Sequence, residues 1–138
     1  MSFVLDASIV LTWCFPDENS PRAQKVAELF RQGRPAIAPS FWPHEVLNAL
    51  LAGEKRGRIS RDLGLIFLAD LAALPIRLRA SPMLEVFTRT QAISRDHGLT
   101  PYDAAYLELA ARQGLPLATV DKDLLRACRK SGVEAICE

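Results

Sequence analysis

Short apolar runs alternate along the chain with segments in which apolar residues recur at helical spacing. Five of the runs have the length and the Pro, Gly or charged boundaries of strands, at residues 3–5, 36–38, 76–80, 115–120 and 133–137. Helical spacing predicts helices at residues 20–33, 40–57, 60–74, 81–98, 100–114 and 121–130. This alternation predicts a three-layer α/β fold with a mainly parallel five-stranded sheet, in which residues 40–74 form a helical hairpin.

Local signals support these helix boundaries. Ser20 and Thr100 are each followed by Pro, which is favoured at the first position of a helix, and Ser60 is a further N-cap. Gly114 and Gly132 stand where the last two helices are expected to end. The helix starts are therefore better defined by the sequence than the strand ends.

Composition adds a size and a charge to this picture. The chain has 138 residues, is 49% hydrophobic and carries a formal net charge of +1, which suits one compact domain over residues 1–138. Thirteen of its seventeen basic residues are Arg, the side chain suited to bidentate phosphate contacts. The near-neutral net charge therefore does not exclude a nucleic-acid ligand.

The cysteines and the N-terminal segment indicate a compartment. The chain has three cysteines, an odd number, and they lack the spacing of a metal site. We therefore expect reduced thiols at Cys14, Cys128 and Cys137. The chain begins without a basic leader, and no apolar run reaches the ~20 residues that a membrane-spanning helix needs. The sequence thus predicts a soluble, cytoplasmic protein.

Four carboxylates occupy positions from which they can meet at one edge of the sheet. Asp6 and Asp121 directly follow predicted strands, Asp103 lies in the first turn of the helix at 100–114, and Glu45 lies early in the helix at 40–57. Ligands of a parallel sheet collect beyond the carboxyl ends of its strands. We therefore expect these four acids to converge there.

Converging carboxylates repel one another unless a cation compensates them. Oxygen ligands without His or Cys favour Mg²⁺ or Mn²⁺, which retain water and leave room for a phosphate oxygen. Such a metal can activate a water and stabilise charge on a scissile phosphodiester. The pattern thus favours metal-dependent phosphodiester hydrolysis.

Each acid also has a simpler interpretation. Asp103 and Asp121 can be helix N-terminal residues alone, and Glu45 can be a solvated first-turn acid. Asp6 is harder to explain in this way, because an unpartnered acid at the end of a buried strand carries a desolvation cost. The metal hypothesis therefore depends on the four acids together.

The acids lie within four short segments: VLDAS at 4–8, PHEVLNAL at 43–50, TPYDAAYLELA at 100–110 and LATVDKDL at 117–124. In these segments the chain resembles the PIN-domain nucleases, and most closely their VapC-type toxins. The resemblance implies a divalent-metal-dependent endoribonuclease, the toxin of a type II toxin–antitoxin pair, with Mg²⁺ or Mn²⁺ as cofactor. It also implies an RNA substrate, a cognate antitoxin partner and a homodimer.

The resemblance carries roles for individual residues. Asp6, Glu45, Asp103 and Asp121 would be the catalytic metal ligands, and Asp123 would be an additional acid acting through water. Ser8 and Thr119 match positions where the family often has hydroxyls, which would orient carboxylates or metal-bound waters. Both hydroxyls can equally be ordinary turn and strand residues.

Two surfaces are candidates for RNA or partner contacts. Basic residues cluster at the tip of the predicted hairpin, at Lys55, Arg56, Arg58 and Arg61, where they either contact RNA or a partner or form a solvated helix end. Arg77 and Arg79 alternate along an edge strand and can simply deter edge pairing. The apolar stripes of the helices at 20–33 and 40–74 suggest a partner groove or dimer contact, with core packing as the alternative.

The aromatic residues near the predicted element ends also have two interpretations. They are Trp13, Phe15, Phe41 and Trp42. Such side chains can stack on unpaired bases, although core or interface packing is the expected role here.

Two other functions remain open from the sequence. A catalytically silent module would use the acids only as helix caps and would bind a partner protein; it predicts no stabilisation by metal. A phosphoacceptor signalling domain also gathers Asp residues at strand ends, but Asp62 and Asp70 fall on a predicted helix and no Lys ends the last strand. We favour the nuclease.

Overall fold

A computed structural model describes residues 1–15, 17–18 and 20–136. Four strands form one sheet: β1 (Phe3–Leu5), β2 (Ala36–Pro39), β3 (Ile76–Arg79) and β4 (Leu117–Ala118). Their order across the sheet is β3-β2-β1-β4, and each neighbouring pair is parallel. The carboxyl ends of all four strands therefore lie at the same edge.

The helices follow the predicted order, with a further helix before them and with the predicted helix at 81–98 divided into two helices and a π-helical turn. They are α1 (Ala7–Cys14), α2 (Pro21–Arg31), α3 (Trp42–Lys55), α4 (Arg61–Ala72), α5 (Met83–Glu85), α6 (Gln91–His97), α7 (Pro101–Gln113) and α8 (Lys122–Ser131). A π-helical turn at Val86–Thr90 joins α5 to α6. Ser20, Ser60 and Thr100 cap α2, α4 and α7 as predicted, each accepting a hydrogen bond from a backbone N–H three residues later.

The core lies on both faces of the sheet. Phe3, Val4 and Leu5 of β1 are all buried, and successive side chains of a strand point to opposite faces. Helix α7 packs against β1 and β2, and α2 packs against β4. The sheet is thus covered on both sides, as the three-layer α/β prediction requires.

The predicted count of five strands is wrong. In place of a strand at residues 133–137, Ala135 forms a single parallel bridge to Leu117. Leu117 N–H donates to the Glu134 carbonyl at 2.8 Å, and Ile136 N–H donates to the Leu117 carbonyl at 3.0 Å. Since β4 itself has two residues, it offers too short a ladder for a longer partner. Cys137 lies outside the described residues.

Near the tip of the helical hairpin formed by α3 and α4, the Phe15 side chain packs closely against α3. A Cβ on Gly53 would lie 2.5 Å from Phe15 Cε1, so glycine lets the Phe15 ring pack directly on α3. On the outer side of α4, by contrast, Leu63, Leu65 and Ile66 are exposed. Every helix in the described part of the chain is too short or too polar to span a bilayer.

Candidate metal and active site

Asp6 is a buried acid at the point where β1 ends and α1 begins. Its side chain is only 5% exposed, and its backbone N–H donates to the Ala118 carbonyl of β4 at 2.9 Å. One carboxylate oxygen, Oδ2, accepts hydrogen bonds from the Ser8 and Thr119 hydroxyls, each at 2.6 Å. Asp6 therefore has the partners that its burial requires.

The two hydroxyls are themselves held by the backbone. Val120 N–H donates to Ser8 Oγ at 3.1 Å, and Asp121 N–H donates to Thr119 Oγ1 at 3.0 Å. Because each hydroxyl accepts from the backbone, its own proton is free to be directed at Asp6. The connection between β1 and the segment after β4 thus forms one polar network around this carboxylate.

Asp121 is the N-cap of α8. Its Oδ2 accepts a hydrogen bond from Leu124 N–H at 2.9 Å, which is the capping role expected of this residue type. The same side chain lines the pocket that contains Asp6. Capping and pocket lining are therefore compatible at this position.

Glu45 and Asp103 approach the pocket from helices rather than from strands. Glu45 lies in the first turn of α3, and its Oε1 accepts a hydrogen bond from the Tyr106 hydroxyl of α7. Asp103 lies in the first turn of α7, where its backbone N–H donates to the Thr100 hydroxyl at 3.2 Å. The starts of α3 and α7 thus bring two acids to the edge that Asp6 and Asp121 occupy.

The four acids share one pocket of about 270 Å³. Its other lining residues are Ala7, Ser8, Leu11, Asn48 and Ala49. Among the described residues that line it, there is no Lys, Arg or His to neutralise the carboxylates. The predicted convergence of the acids is therefore present in the fold.

Burial makes Asp6 a weaker acid than an ordinary aspartate. It raises the pKa of Asp6 from 3.8 to about 6, although the hydrogen bonds from Ser8 and Thr119 oppose the rise. The nearby charges of Glu45 and Asp121 raise this pKa further. The charged form of Asp6 is thus disfavoured until a positive charge joins it.

Asp103 and Glu45 are affected in the same direction. Burial raises the pKa of Asp103 to about 6, and the neighbouring Asp6 and Asp121 charges add to the increase. Burial also raises the pKa of Glu45, an effect that the hydrogen bond from Tyr106 opposes and the Asp103 charge strengthens. The pocket as a whole favours uptake of positive charge.

The donor set suits a hard divalent cation. It consists of carboxylate oxygens, with the amide of Asn48 nearby, and such ligands bind Mg²⁺ or Mn²⁺. Across the described ranges, no three acidic, imidazole or thiol side chains stand close enough to enclose an ion by themselves. A cation held here would therefore need water molecules to complete its ligand set.

Other predicted residues lie outside the pocket lining. Asp123 forms an ion pair with Arg126 on the exposed surface of α8. At the hairpin tip, the Arg58 guanidinium donates to Asp17 at 2.9 Å and covers the Phe15 ring at 4.0 Å. Arg58 is thus committed to a contact within the molecule.

The remaining three basic residues of the hairpin tip, Lys55, Arg56 and Arg61, are exposed. Their proposed contacts with RNA or a partner stay predictions.

The sequence pattern assigned no role of their own to Asn48, which lines the pocket, or to Tyr106, which contacts the pocket residue Glu45. Tyr106 belongs to the PIN-like segment at 100–110. It lies one helical turn after Asp103, and its hydroxyl donates a hydrogen bond to Glu45. Asn48 lies one turn after Glu45. The helical spacing of three residues from an expected ligand was the signal that pointed to both.

The family comparison agrees with this architecture. The PIN domain model matches residues 3–130, and the chain belongs to the PIN-domain family. Within it, the chain is similar to VapC-type ribonucleases. Ribonuclease VapC3 of Pyrobaculum aerophilum is 31% identical over 124 residues, covering 90% of this chain and 92% of that protein. Ribonuclease VapC12 of Mycobacterium tuberculosis is also 31% identical, covering 90% of each chain.

Solved structures share the fold. The crystal structure of PAE2754 from Pyrobaculum aerophilum has a TM-score of 0.73 at 20% identity, covering 99% of this chain and 84% of that one. VapC20 of Mycobacterium tuberculosis, described as a sarcin-ricin loop cleaving toxin, has a TM-score of 0.63 at 12% identity, covering 91% and 94%. The predicted family and fold class are thus confirmed.

Proposed function

We propose that the protein is a divalent-metal-dependent endoribonuclease and the toxin of a type II toxin–antitoxin pair. The observation that carries this proposal is the pocket in which Asp6, Glu45, Asp103 and Asp121 meet without a basic residue among the described lining residues. The VapC ribonucleases to which the chain is similar support RNA as the substrate. The described core, which extends from β1 to α8, supports one domain over residues 1–138.

Each acid has a defined part in this proposal. The four carboxylates would hold Mg²⁺, or Mn²⁺ in its place, and the cation would supply water activation and stabilise charge on the phosphate. Ser8 and Thr119 orient Asp6 through hydrogen bonds from their hydroxyls. Asp121 keeps one oxygen on the α8 N-terminus, so that its carboxylate is fixed in direction.

A protein partner and a second copy of the chain belong to the same proposal. Leu63, Leu65 and Ile66 of α4 are exposed apolar side chains that an antitoxin segment or another protomer would cover. The buried, reduced thiols of Cys14 and Cys128 suit the reducing cytoplasm, where such a pair would act.

The test is cleavage of a mixed cellular RNA pool by the purified protein in Mg²⁺, in Mn²⁺ and in chelator. We expect discrete fragments only with metal. Asp6→Asn should lower the cleavage rate by roughly 1,000-fold, since several kcal/mol of charge stabilisation is lost. Asp96→Asn, an exposed acid on α6, is the matched control and should cleave like the parent.

Two results would contradict the proposal. Cleavage that survives chelator would show that no metal is required. A protein that cuts no RNA under any condition, and whose melting temperature does not rise with metal, would be the silent partner-binding module instead.

A further inference from the structure

A second pocket lies at the same edge of the sheet, where β2 and β3 end and α7 begins. We call it the edge pocket. It has a volume of about 200 Å³, and its lining includes Ser40, Phe41, Arg79, Ser81, Thr90 and Tyr102. It contains none of the four acids of the metal site. The edge pocket is therefore distinct in chemistry from its acidic neighbour.

A row of aromatic rings separates the two pockets. Phe41 meets Tyr102 edge to face, with ring centroids 5.3 Å apart, and meets Tyr106 in the same way at 5.7 Å. On the far side of this row, Tyr106 donates its hydroxyl to Glu45. Tyr102 also directly precedes Asp103 in α7. A ligand in the edge pocket would thus lie beside whatever the acids hold.

The lining of the edge pocket suits a planar, uncharged ring attached to an anion. Tyr102 is 60% exposed, which is unusual for a large aromatic side chain that is already packed against Phe41. Arg79 is the charged residue of the described lining, and the Ser40 and Ser81 hydroxyls can both donate and accept. These groups provide a stacking surface, a cation for phosphate and hydrogen bonds for a base edge.

The backbone at the pocket wall is unusual as well. Thr90 is 4% exposed and ends the π-helical turn Val86–Thr90, a rare conformation that is found frequently at functional sites. The turn brings Val86 and Thr90 to the same pocket lining.

We propose that the edge pocket receives one unpaired RNA base next to the scissile phosphodiester. The base stacks on Tyr102, and Arg79 binds a phosphate of the same strand. This inference rests on the proposed function, because it assigns the pocket to the strand held at the acids. It makes the edge pocket a determinant of which nucleotide flanks the cut.

The first test compares the fragments that each variant makes from a mixed RNA pool. Tyr102→Leu should lower kcat/KM by about 10-fold, the size of one lost base–aromatic contact, and should erase the base preference beside the cut. Tyr102→Phe keeps the ring and should recover most of that loss. Phe87→Leu is the matched control, since Phe87 is 61% exposed and lies outside the edge pocket lining, and it should cut like the parent.

Arg79 has its own matched control in the same strand. Arg77 and Arg79 are two residues apart in β3, so they share a face of the sheet, but only Arg79 lines the edge pocket. Arg79→Gln should reduce the slope of log K against log salt for RNA binding by about 0.7, the contribution of one phosphate contact to a single strand. Arg77→Gln should leave this slope unchanged. Equal changes in both variants would overturn the role of Arg79.

A binding measurement separates this inference from the proposed function. A short RNA carrying 2-aminopurine is titrated with each variant in Ca²⁺, a hard cation that carboxylates also bind. Stacking quenches the fluorescence, so the parent and Tyr102→Phe should quench and Tyr102→Leu should not. If the variants show this quenching pattern but the parent cuts no RNA, the base pocket is supported and the nuclease proposal fails.

Two outcomes would overturn the base pocket. One is equal quenching and equal cut patterns for Tyr102→Leu and Phe87→Leu. The other is a parent protein that is dimeric and a Tyr102→Leu variant that is monomeric but cuts RNA at the same positions. The edge pocket would then be a contact between copies of the chain.

Discussion

The two sides of the acid pocket are built in different ways. On the β1–β4 side, Asp6 accepts from two hydroxyls, and both hydroxyls accept from backbone N–H groups of the segment after β4. On the α3–α7 side, the fixed contact of Glu45 is the hydrogen bond from Tyr106. One side is a closed network tied to the sheet, whereas the other depends on one side chain between two helices.

This difference indicates that the two sides of the pocket differ in rigidity. The β1–β4 side holds its carboxylate in place before any cation arrives, at the cost of a buried charge. The α3–α7 side can adjust as α3 and α7 shift, because fewer hydrogen bonds restrain it. We expect variants on the first side to affect both stability and metal affinity, and variants on the second side to affect mainly metal affinity.

The largest effect is expected from Thr119→Val, which removes one donor to Asp6 and the acceptor of the Asp121 N–H. Metal affinity should fall by up to about 100-fold, the range seen when a group that orients a ligand is lost. Metal-dependent thermal stabilisation measures this affinity. Thr119→Ser keeps the hydroxyl and should retain most of it; equal losses in both variants would mean that side-chain shape, not the hydrogen bond, matters.

The next effect concerns the cost of the buried charge itself. The pKa of Asp6 is about 6 in the folded protein and ordinarily 3.8. Between these pH values Asp6 is therefore protonated more fully in the folded state than in the unfolded state. Without metal, the contribution of Asp6 to stability should therefore be largest below about pH 4 and decrease as pH rises to about 6. Asp6→Asn should raise the metal-free unfolding free energy at pH 7 by about 3 kcal/mol and flatten this decrease.

Denaturant unfolding in chelator at several pH values tests this prediction, with Asp96→Asn as the control. An Asp6→Asn protein less stable than its parent at pH 7 would show that the hydroxyl network outweighs the burial cost. Asp103→Asn should give a smaller gain, because this side chain is less buried than Asp6.

The smallest effect is expected on the α3–α7 side. Tyr106→Phe keeps the buried ring and loses the hydroxyl, which donates to Glu45 and also bonds the Ala7 backbone. Metal affinity should fall by about 10-fold, with a smaller loss of metal-free stability than Thr119→Val causes. Thr12→Val is a suitable control, since its half-buried hydroxyl bonds the Ile9 carbonyl away from the acids. If Tyr106→Phe lowers stability as much as Thr119→Val does, the two sides are alike and the comparison fails.

Much of this architecture was predictable because its signals are local. The caps at Ser20, Ser60 and Thr100 specify helix starts within a few residues of sequence, and they occur where predicted. Asp6 and Asp121 were placed at the pocket edge by a general rule for parallel strands. Features of this kind need no knowledge of distant parts of the chain.

The features that escaped prediction depend on distant partners. Whether residues 133–137 form a strand depends on the length of β4, which the apolar run at 115–120 overstated. The contact of Arg58 with Asp17 joins residues 41 positions apart, and the bond of Tyr106 to Glu45 joins residues 61 apart. A sequence pattern states which side chains are present, but not which distant ones meet.

The network around Asp6 also governs when the protein becomes active during its synthesis. The Thr119 hydroxyl that orients Asp6 lies 113 residues further along the chain, and Asp121 caps a helix beyond it. A ribosome adds roughly 5–20 residues per second, so several seconds separate the emergence of the two ends of the site. On the proposed function, a nascent chain has no complete acid pocket and leaves RNA intact until the segment with Thr119 and Asp121 has been made.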